Sequence, residues 1–265
     1  VRRPLLAAVL LAALFLFALA ARAADWPDDN SKVVPCRPTV SCIADFAPPG
    51  TFELETGALY RRVASPGPEW SFPFLAKLTV MKWLQIQAFG NGFTTARALS
   101  TAQFFDNVNL GAKFHLDDAD PNGLAPSLAF SAALSIPTFN GQEGYSSAYD
   151  AIGVAYVSKD IGPIHVDWNV GIEALQIDHT TTPQEFVTIA LSASLPPPFG
   201  IMAETYYFSD ASPVATRDGG FLFALSHSPR PWLTLDVGAD IGYFPSVRTF
   251  STFFGMTIVP VMLWK

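Results

Sequence analysis

Residues 164–175 read IHVDWNVGIEAL, and they alternate. Val166, Trp168, Val170, Ile172 and Ala174 form an apolar row, while His165, Asp167, Asn169, Gly171 and Glu173 form a polar one. Successive side chains of a β-strand point to opposite faces, so this pattern predicts a strand with one greasy and one polar face. The alternation begins at Thr51 and divides into twelve segments: 51–63, 70–81, 84–93, 104–116, 127–137, 150–158, 164–175, 185–195, 201–209, 220–226, 233–243 and 250–259. In the first, Phe52, Leu54, Ala58 and Tyr60 oppose Glu53, Glu55 and Arg61. In the fourth, Val108, Leu110, Ala112 and Phe114 oppose Asn107, Asn109, Lys113 and His115. Segment 150–158 is assigned Ile152, Val154 and Tyr156 on its apolar face. Segment 201–209 turns Glu204 and Tyr206 to the polar side, and 233–243 sets Leu235, Val237, Ala239 and Ile241 against Asp236, Gly238 and Asp240. Pro73 sits awkwardly in 70–81, because proline cannot donate to a ladder.

The connections carry a second signal. After the second, sixth, eighth and tenth segments they are tight, at 82–83, 159–163, 196–200 and 227–231. After the third, fifth, seventh and ninth they are longer, at 94–103, 138–149, 177–184 and 210–219. Short turns at one end and long loops at the other belong to membrane barrels. Two connections break the rule: 117–126 should be short and is not, and 244–249 should be long and is not.

Alternation is blind to which row faces inward. A soluble lipocalin-type barrel buries the apolar row; a membrane barrel turns it to lipid and lines its lumen with the polar row. Composition bears on the choice. Charged residues are 15% of the chain, against about 25% in soluble proteins. The apolar rows are almost free of charge, and Tyr60, Trp70, Trp83, Trp232 and Tyr243 sit near segment ends, as interfacial aromatics do. These features predict an all-β fold: a transmembrane antiparallel up-and-down β-barrel of about twelve strands.

The ends bear on location. Arg2 and Arg3 precede an uncharged apolar run, and Ala21-Arg22-Ala23 is a small-x-small cleavage site. Residues 1–23 are therefore expected to be a cleaved secretory signal peptide. That leaves roughly 240 residues, enough for one large barrel. Residues 24–50, with Pro27, Pro35, Pro38, Pro48 and Pro49, read as an irregular lead-in, either periplasmic or folded into the barrel mouth. Residues 51–265 form the barrel. Cys36 and Cys42 are expected to pair, since an exported chain meets an oxidising compartment. The expected location is the cell outer membrane.

The polar rows define the candidate site. The lumen-lining residues expected to border a permeation path are Glu53, Glu55, Arg61, Lys113, His115, His165, Asp167, Asn169, Glu173, Glu204, Asp236 and Asp240, with Lys77 beside them. Their carboxylate excess would disfavour anions. The alternative is that these groups pair across the lumen and hold the wall together, because buried charges need partners. Ser226-His227-Ser228 lies in an expected tight turn, a poor place for a preorganised nucleophile. His165 with Asp167 could form an acid–base pair, and His115 could join them at a metal, but the spacing is no ligand signature. No catalytic residue, metal or cofactor is expected. The expected partners are outer-membrane lipid, a small-molecule solute and the barrel assembly machinery. The formal net charge of -7 argues against nucleic acid.

Taken in order, PSLAFSAALSIPTFNG, VDWNVGIEAL, IMAETYYFSD, LTLDVGADIGYFP and a strand running to the end resemble a family of outer-membrane proteins. These are described as transporters of the MetA-pathway of phenol degradation, and the resemblance spans roughly residues 54–260. The family's strand ending in Leu-Pro-Thr-Gly corresponds to Ile136-Pro137-Thr138-Phe139, with glycine only at Gly141. Its Asn-Gly corresponds to Asn169-Val170-Gly171, and its lone glutamate matches Glu204. The chain departs from common barrel practice in placing Trp264 before a final Lys265. The resemblance implies a barrel passing small molecules, aromatic or hydrophobic ones among them, with no specific substrate carried over. The expectation is thus a passive outer-membrane channel. The alternatives are a non-conducting structural or surface-binding barrel and, more weakly, a lipid-modifying enzyme.

Overall fold

Each alternating segment folds as strand. In chain order these are β1 (Thr51–Val63), β2 (Pro68–Ser71), β3 (Phe74–Met81), β4 (Leu84–Gly90), β5 (Phe93–Ala96), β6 (Phe104–Phe105), β7 (Val108–Asp117) and β8 (Ser127–Ile136). There follow β9 (Ala151–Ile161), β10 (Ile164–Ile177), β11 (Thr180–Ser194), β12 (Phe199–Phe208), β13 (Asp218–Arg230), β14 (Leu233–Gly242) and β15 (Arg248–Met262). The structure is a computed structural model that describes residues 32–63, 67–96, 104–105, 107–137, 149–177, 180–211 and 216–264. The expected signal peptide, residues 24–31 of the lead-in and most of the loop at 138–149 lie outside the described residues. Among the described residues there is no helix.

All fifteen strands belong to one antiparallel sheet. The strands β2, β5 and β6 carry β3, β4 and β7 onward past irregular points, so twelve strands form the ring. The break between β2 and β3 falls at Phe72-Pro73, where proline has no N–H for the ladder. Across it, the Phe72 N–H donates to the carbonyls of Asn91 and Phe93 at 3.2 and 3.1 Å. The break between β4 and β5 falls at Asn91-Gly92, with Gly92 at φ 63°. The ring closes where β15 pairs with β1, from Thr51↔Met262 to Val63↔Arg248. Closure removes the open sheet edges that hydrocarbon does not tolerate.

Side-chain exposure settles the sense of the alternation. Val237, Phe254, Ile172 and Trp168 are 55%, 61%, 48% and 47% exposed, whereas Glu53, Lys77, Glu204 and Arg248 are 0–2% exposed. That arrangement is inside out for water and right for a membrane, where the belt of phenylalanine, leucine and valine meets lipid tails. Trp70, Trp83 and Tyr243 stand exposed near strand ends, at the level of the interfaces. The protein is a twelve-strand transmembrane β-barrel.

One end carries the tight turns at 82–83, 162–163, 195–198 and 231–232, together with the segment before β1 and the chain after β15. The irregular connection at 118–126 also lies at this end. It is closed by the Asp120 N–H donating to Ala125 O at 3.0 Å and clamped by the Lys159 ammonium on the same stretch. The other end carries the longer connections after β8 and β12, together with the short ones between β10 and β11 and between β14 and β15.

Three sequence expectations change. In β9, Val154 and Tyr156 are 8% and 7% exposed and face the lumen, not lipid. Both rows of that strand are apolar, so alternation gave no phase. The bulkier row turns inward, where the Tyr156 hydroxyl bonds Ser131 at 2.8 Å and its ring receives the Lys113 ammonium at 4.2 Å. The expected loop at 177–184 is mostly strand, because β10 and β11 pair out to Ile177↔Thr180 through a β-branched threonine run. The expected turn at 227–231 shrinks to 231–232, because β13 continues to Arg230.

Candidate functional site

The barrel's central feature comes from the segment with no alternation. Residues 33–49 cross the lumen at the short-turn end as a strap, and its Ser41, Ala44 and Ala47 are 0–2% exposed. Of the two placements the sequence left open, the described part of the lead-in occupies the mouth. The Cys36 and Cys42 sulfurs are bonded, closing a small loop in its middle.

The strap carries many backbone N–H groups and lies in no ladder, so the wall must satisfy them. Carboxylates do most of this. The Val34 N–H donates to Glu53 at 2.7 Å, and the Cys36 and Arg37 N–H groups donate to the two oxygens of Glu55 at 2.9 and 2.8 Å. Across the barrel, the Val40 and Ser41 N–H groups and the Ser41 hydroxyl donate to Glu204 at 2.6–2.7 Å. Asn169 makes a reciprocal pair with Cys42: it accepts the N–H at 2.6 Å and donates to the carbonyl at 3.0 Å. Ser158 accepts from the Ala44 N–H at 2.7 Å.

Cations satisfy the strap's carbonyls. Lys77 donates to Val34 O at 2.6 Å while ion-paired to Glu55 at 2.6 Å and Glu53 at 3.4 Å. Lys113 donates to Ile43 O. The strap's own Arg37 passes β15 and pairs with Asp236 on the next strand, β14, at 3.1 Å. Ser127 bonds Asp45, near the strap's return to the wall. Opposite walls are thereby tied through one segment.

Not every expected lumen residue joins this network. Arg61 sits towards the long-loop end, 3.8 Å from Glu69 and 3.7 Å from Asp218. Asp240 there receives Arg248 at 2.5 Å and the Tyr206 hydroxyl at 2.7 Å. His115 lies 2.8 Å from Asp118, and His165 bridges Asp160 at 2.7 Å and Asp167 at 3.1 Å. The two histidines thus have separate carboxylate partners. Ser226 and His227 fall at adjacent strand positions, so they point to opposite faces. Glu173 has no hydrogen-bond or ion-pair partner among the described residues.

Sequence reasoning missed Arg37, Arg248, Asp218 and Ser158. Arg37 lies in the aperiodic strap, where no row exists to assign it. Arg248 opens β15 two residues before the alternation becomes legible at Phe250.

On the far side of the strap from the short turns lie two cavities that share the disulfide loop as their floor. One, of about 660 Å³, is rich in amides and aromatic rings, with Gln87, Asn109, Glu173, Phe89, Phe186 and Phe208 on its wall. The other, of about 630 Å³, carries Arg61, Arg248, Asp218, Asp240 and Tyr206. We refer to them as the amide chamber and the arginine chamber. Both volumes suit a small molecule.

No family model matches the chain, and no curated protein matches it. Solved structures do. An outer membrane channel from Pseudomonas putida F1 superposes with a TM-score of 0.56 at 10% identity, covering 81% of this chain and 97% of that one. An anion-selective porin from Comamonas acidovorans (7% identity, 78% and 98% covered) and a loop-deletion mutant of OmpT from Vibrio cholerae (10%, 78% and 97%) are more distant, at TM-scores of 0.38 and 0.37. The chain shares the barrel fold of the Pseudomonas putida channel.

Proposed function

We propose that this protein is an outer-membrane channel that passes small molecules passively, with the strap governing the short-turn mouth. The observation that carries the reading is the pair of solvent-sized chambers, lined by polar groups and rings, inside a wall whose outer face is apolar. The Pseudomonas putida structure is named as an outer membrane channel, and its fold is this one. The resemblance to phenol-degradation transporters adds small aromatic molecules as candidate solutes. Export by a signal peptide and assembly by the barrel machinery belong to the same proposal.

The sequence expected an excess of lumen carboxylates that would disfavour anions. Most of these carboxylates are engaged: Glu53, Glu55 and Glu204 with the strap, Asp236 and Asp240 with arginines. Their charge is spent locally, so selectivity falls to the groups left over.

One observation favours a second reading, the non-conducting barrel. The strap crosses the short-turn end of the lumen and bonds the wall at β1 and, six strands round the ring, at β10. The two readings part in liposomes. Purified protein reconstituted into vesicles should let small neutral solutes through, so that the vesicles swell in iso-osmotic solute. Vesicles that remain tight to every small solute would leave only the structural barrel.

A further inference from the structure

The amide chamber has unmet chemistry of one kind. Three carboxylates lie on its described lining. Glu55 is engaged with the strap, and Asp150 accepts the Gln176 N–H at 2.7 Å. Among the described residues Glu173 has no such partner. The basic side chain on that lining, Arg37, is committed to Asp236. Another part of the wall supplies an independent sign: Asn109 Oδ1 is buried and accepts no hydrogen bond. Its amide orientation is fixed, because Nδ2 donates to Phe89 O at 3.3 Å. Both unmet groups are acceptors, one of them a carboxyl group. A ligand that satisfies them must bring donors and positive charge.

The surroundings say what that charge is attached to. Gly171, two residues before Glu173 on the same face of β10, has no side chain, and the Phe186 ring fills its place. A Cβ there would lie 2.2 Å from Phe186 Cζ. Phe186 stacks on Phe208 with centroids 5.1 Å apart at 28°. A flat apolar surface thus adjoins the free carboxylate, and ring faces attract cations as well as apolar bodies.

We propose that the amide chamber binds small organic cations, with an ammonium group at Glu173 and an apolar, preferably aromatic, body against Phe186 and Phe208. This names a solute class for the channel and rests on that reading for its role in transport. A neutral analogue such as an alcohol can donate one hydrogen bond but brings no positive charge to Glu173. An anionic one faces Glu173 and Asp150 with no free base beside them.

The test is isothermal titration calorimetry on the full-length barrel in detergent with three probes of one size: phenethylammonium, 2-phenylethanol and phenylacetate. Phenethylammonium should bind roughly tenfold or more tightly than 2-phenylethanol, and phenylacetate most weakly. Glu173→Gln should abolish the preference for the cation while leaving 2-phenylethanol unchanged. Phe208→Ala provides a second variant, expected to weaken phenethylammonium and 2-phenylethanol alike; unchanged binding of both would overturn the placement of the ring. Equal binding of cation and alcohol, or a preference that survives Glu173→Gln, overturns the proposal. Vesicle flux of the same probes separates the two claims. Cation binding without flux supports the site and removes the channel reading. Flux with no cation preference in binding overturns the site and keeps the channel.

Discussion

At the scale of single residues, the energetics concentrate where a charge is buried with several partners. Lys77 is 2% exposed and holds Glu53, Glu55 and the strap carbonyl of Val34 together. Removing one partner of a buried ion pair leaves the other charge uncompensated, at a cost of about 3–5 kcal/mol. Lys77→Met should lower barrel stability in denaturant titrations by roughly that amount, whereas Lys82→Met, in an exposed turn, should change it by less than about 0.5 kcal/mol. An equal, small effect at both positions would show that the Glu53–Glu55–Lys77 cluster is not under strain of burial. The sequence placed Glu53, Glu55, Glu204 and Asp236 on the inner row and could go no further. A polar row looks the same whether it meets water or another segment's backbone. What those groups bind depended on Arg37, Val40 and Ser41, which carry no periodicity.

At the scale of elements, strands were legible and the strap was not. In β8 the expected outward row Leu128, Phe130, Ala132, Leu134 and Ile136 is more exposed than its neighbours at every position from Ser127 to Ile136, even though Ala129 and Ala133 blur the inner row. In β9 the pattern failed because both rows are apolar, and packing of Tyr156 against Ser131 and Lys113 decided the phase. The strap has prolines, two cysteines and no repeat, so its course is set wholly by partners distant in sequence. The disulfide closes its central loop, with Glu55 gripping one side and Glu204 and Asn169 the other. Cutting that bond should loosen the loop and leave the ladder intact. In the Cys36→Ser/Cys42→Ser variant, amide hydrogen exchange should speed up at Val40, Ser41 and Cys42 by tenfold or more while the β10–β11 ladder keeps its protection, on the order of 1.4 kcal/mol of local opening energy. Unchanged exchange in the loop would show that the carboxylates alone hold it.

At the scale of the whole molecule, closure and polarity define what the protein can do. Alternating side-chain rows gave the strand count, and the connection lengths pointed separately to short turns at one end and longer loops at the other. The two connections that broke the rule, 117–126 and 244–249, keep their unexpected lengths in the structure. The direction of the rows needed composition as well as pattern, and the exposed Val237 and Phe254 against buried Glu204 and Arg248 bear it out. What remains is whether the lumen conducts and whether the strap limits it. Single-channel conductance of the wild type against a Glu55→Gln/Glu204→Gln variant tests this directly. Each substitution removes the negative charge and turns an amide donor towards the strap's own N–H groups. The account predicts a wild-type channel of low conductance and a several-fold larger conductance in the variant. Identical traces from two correctly folded barrels would contradict it.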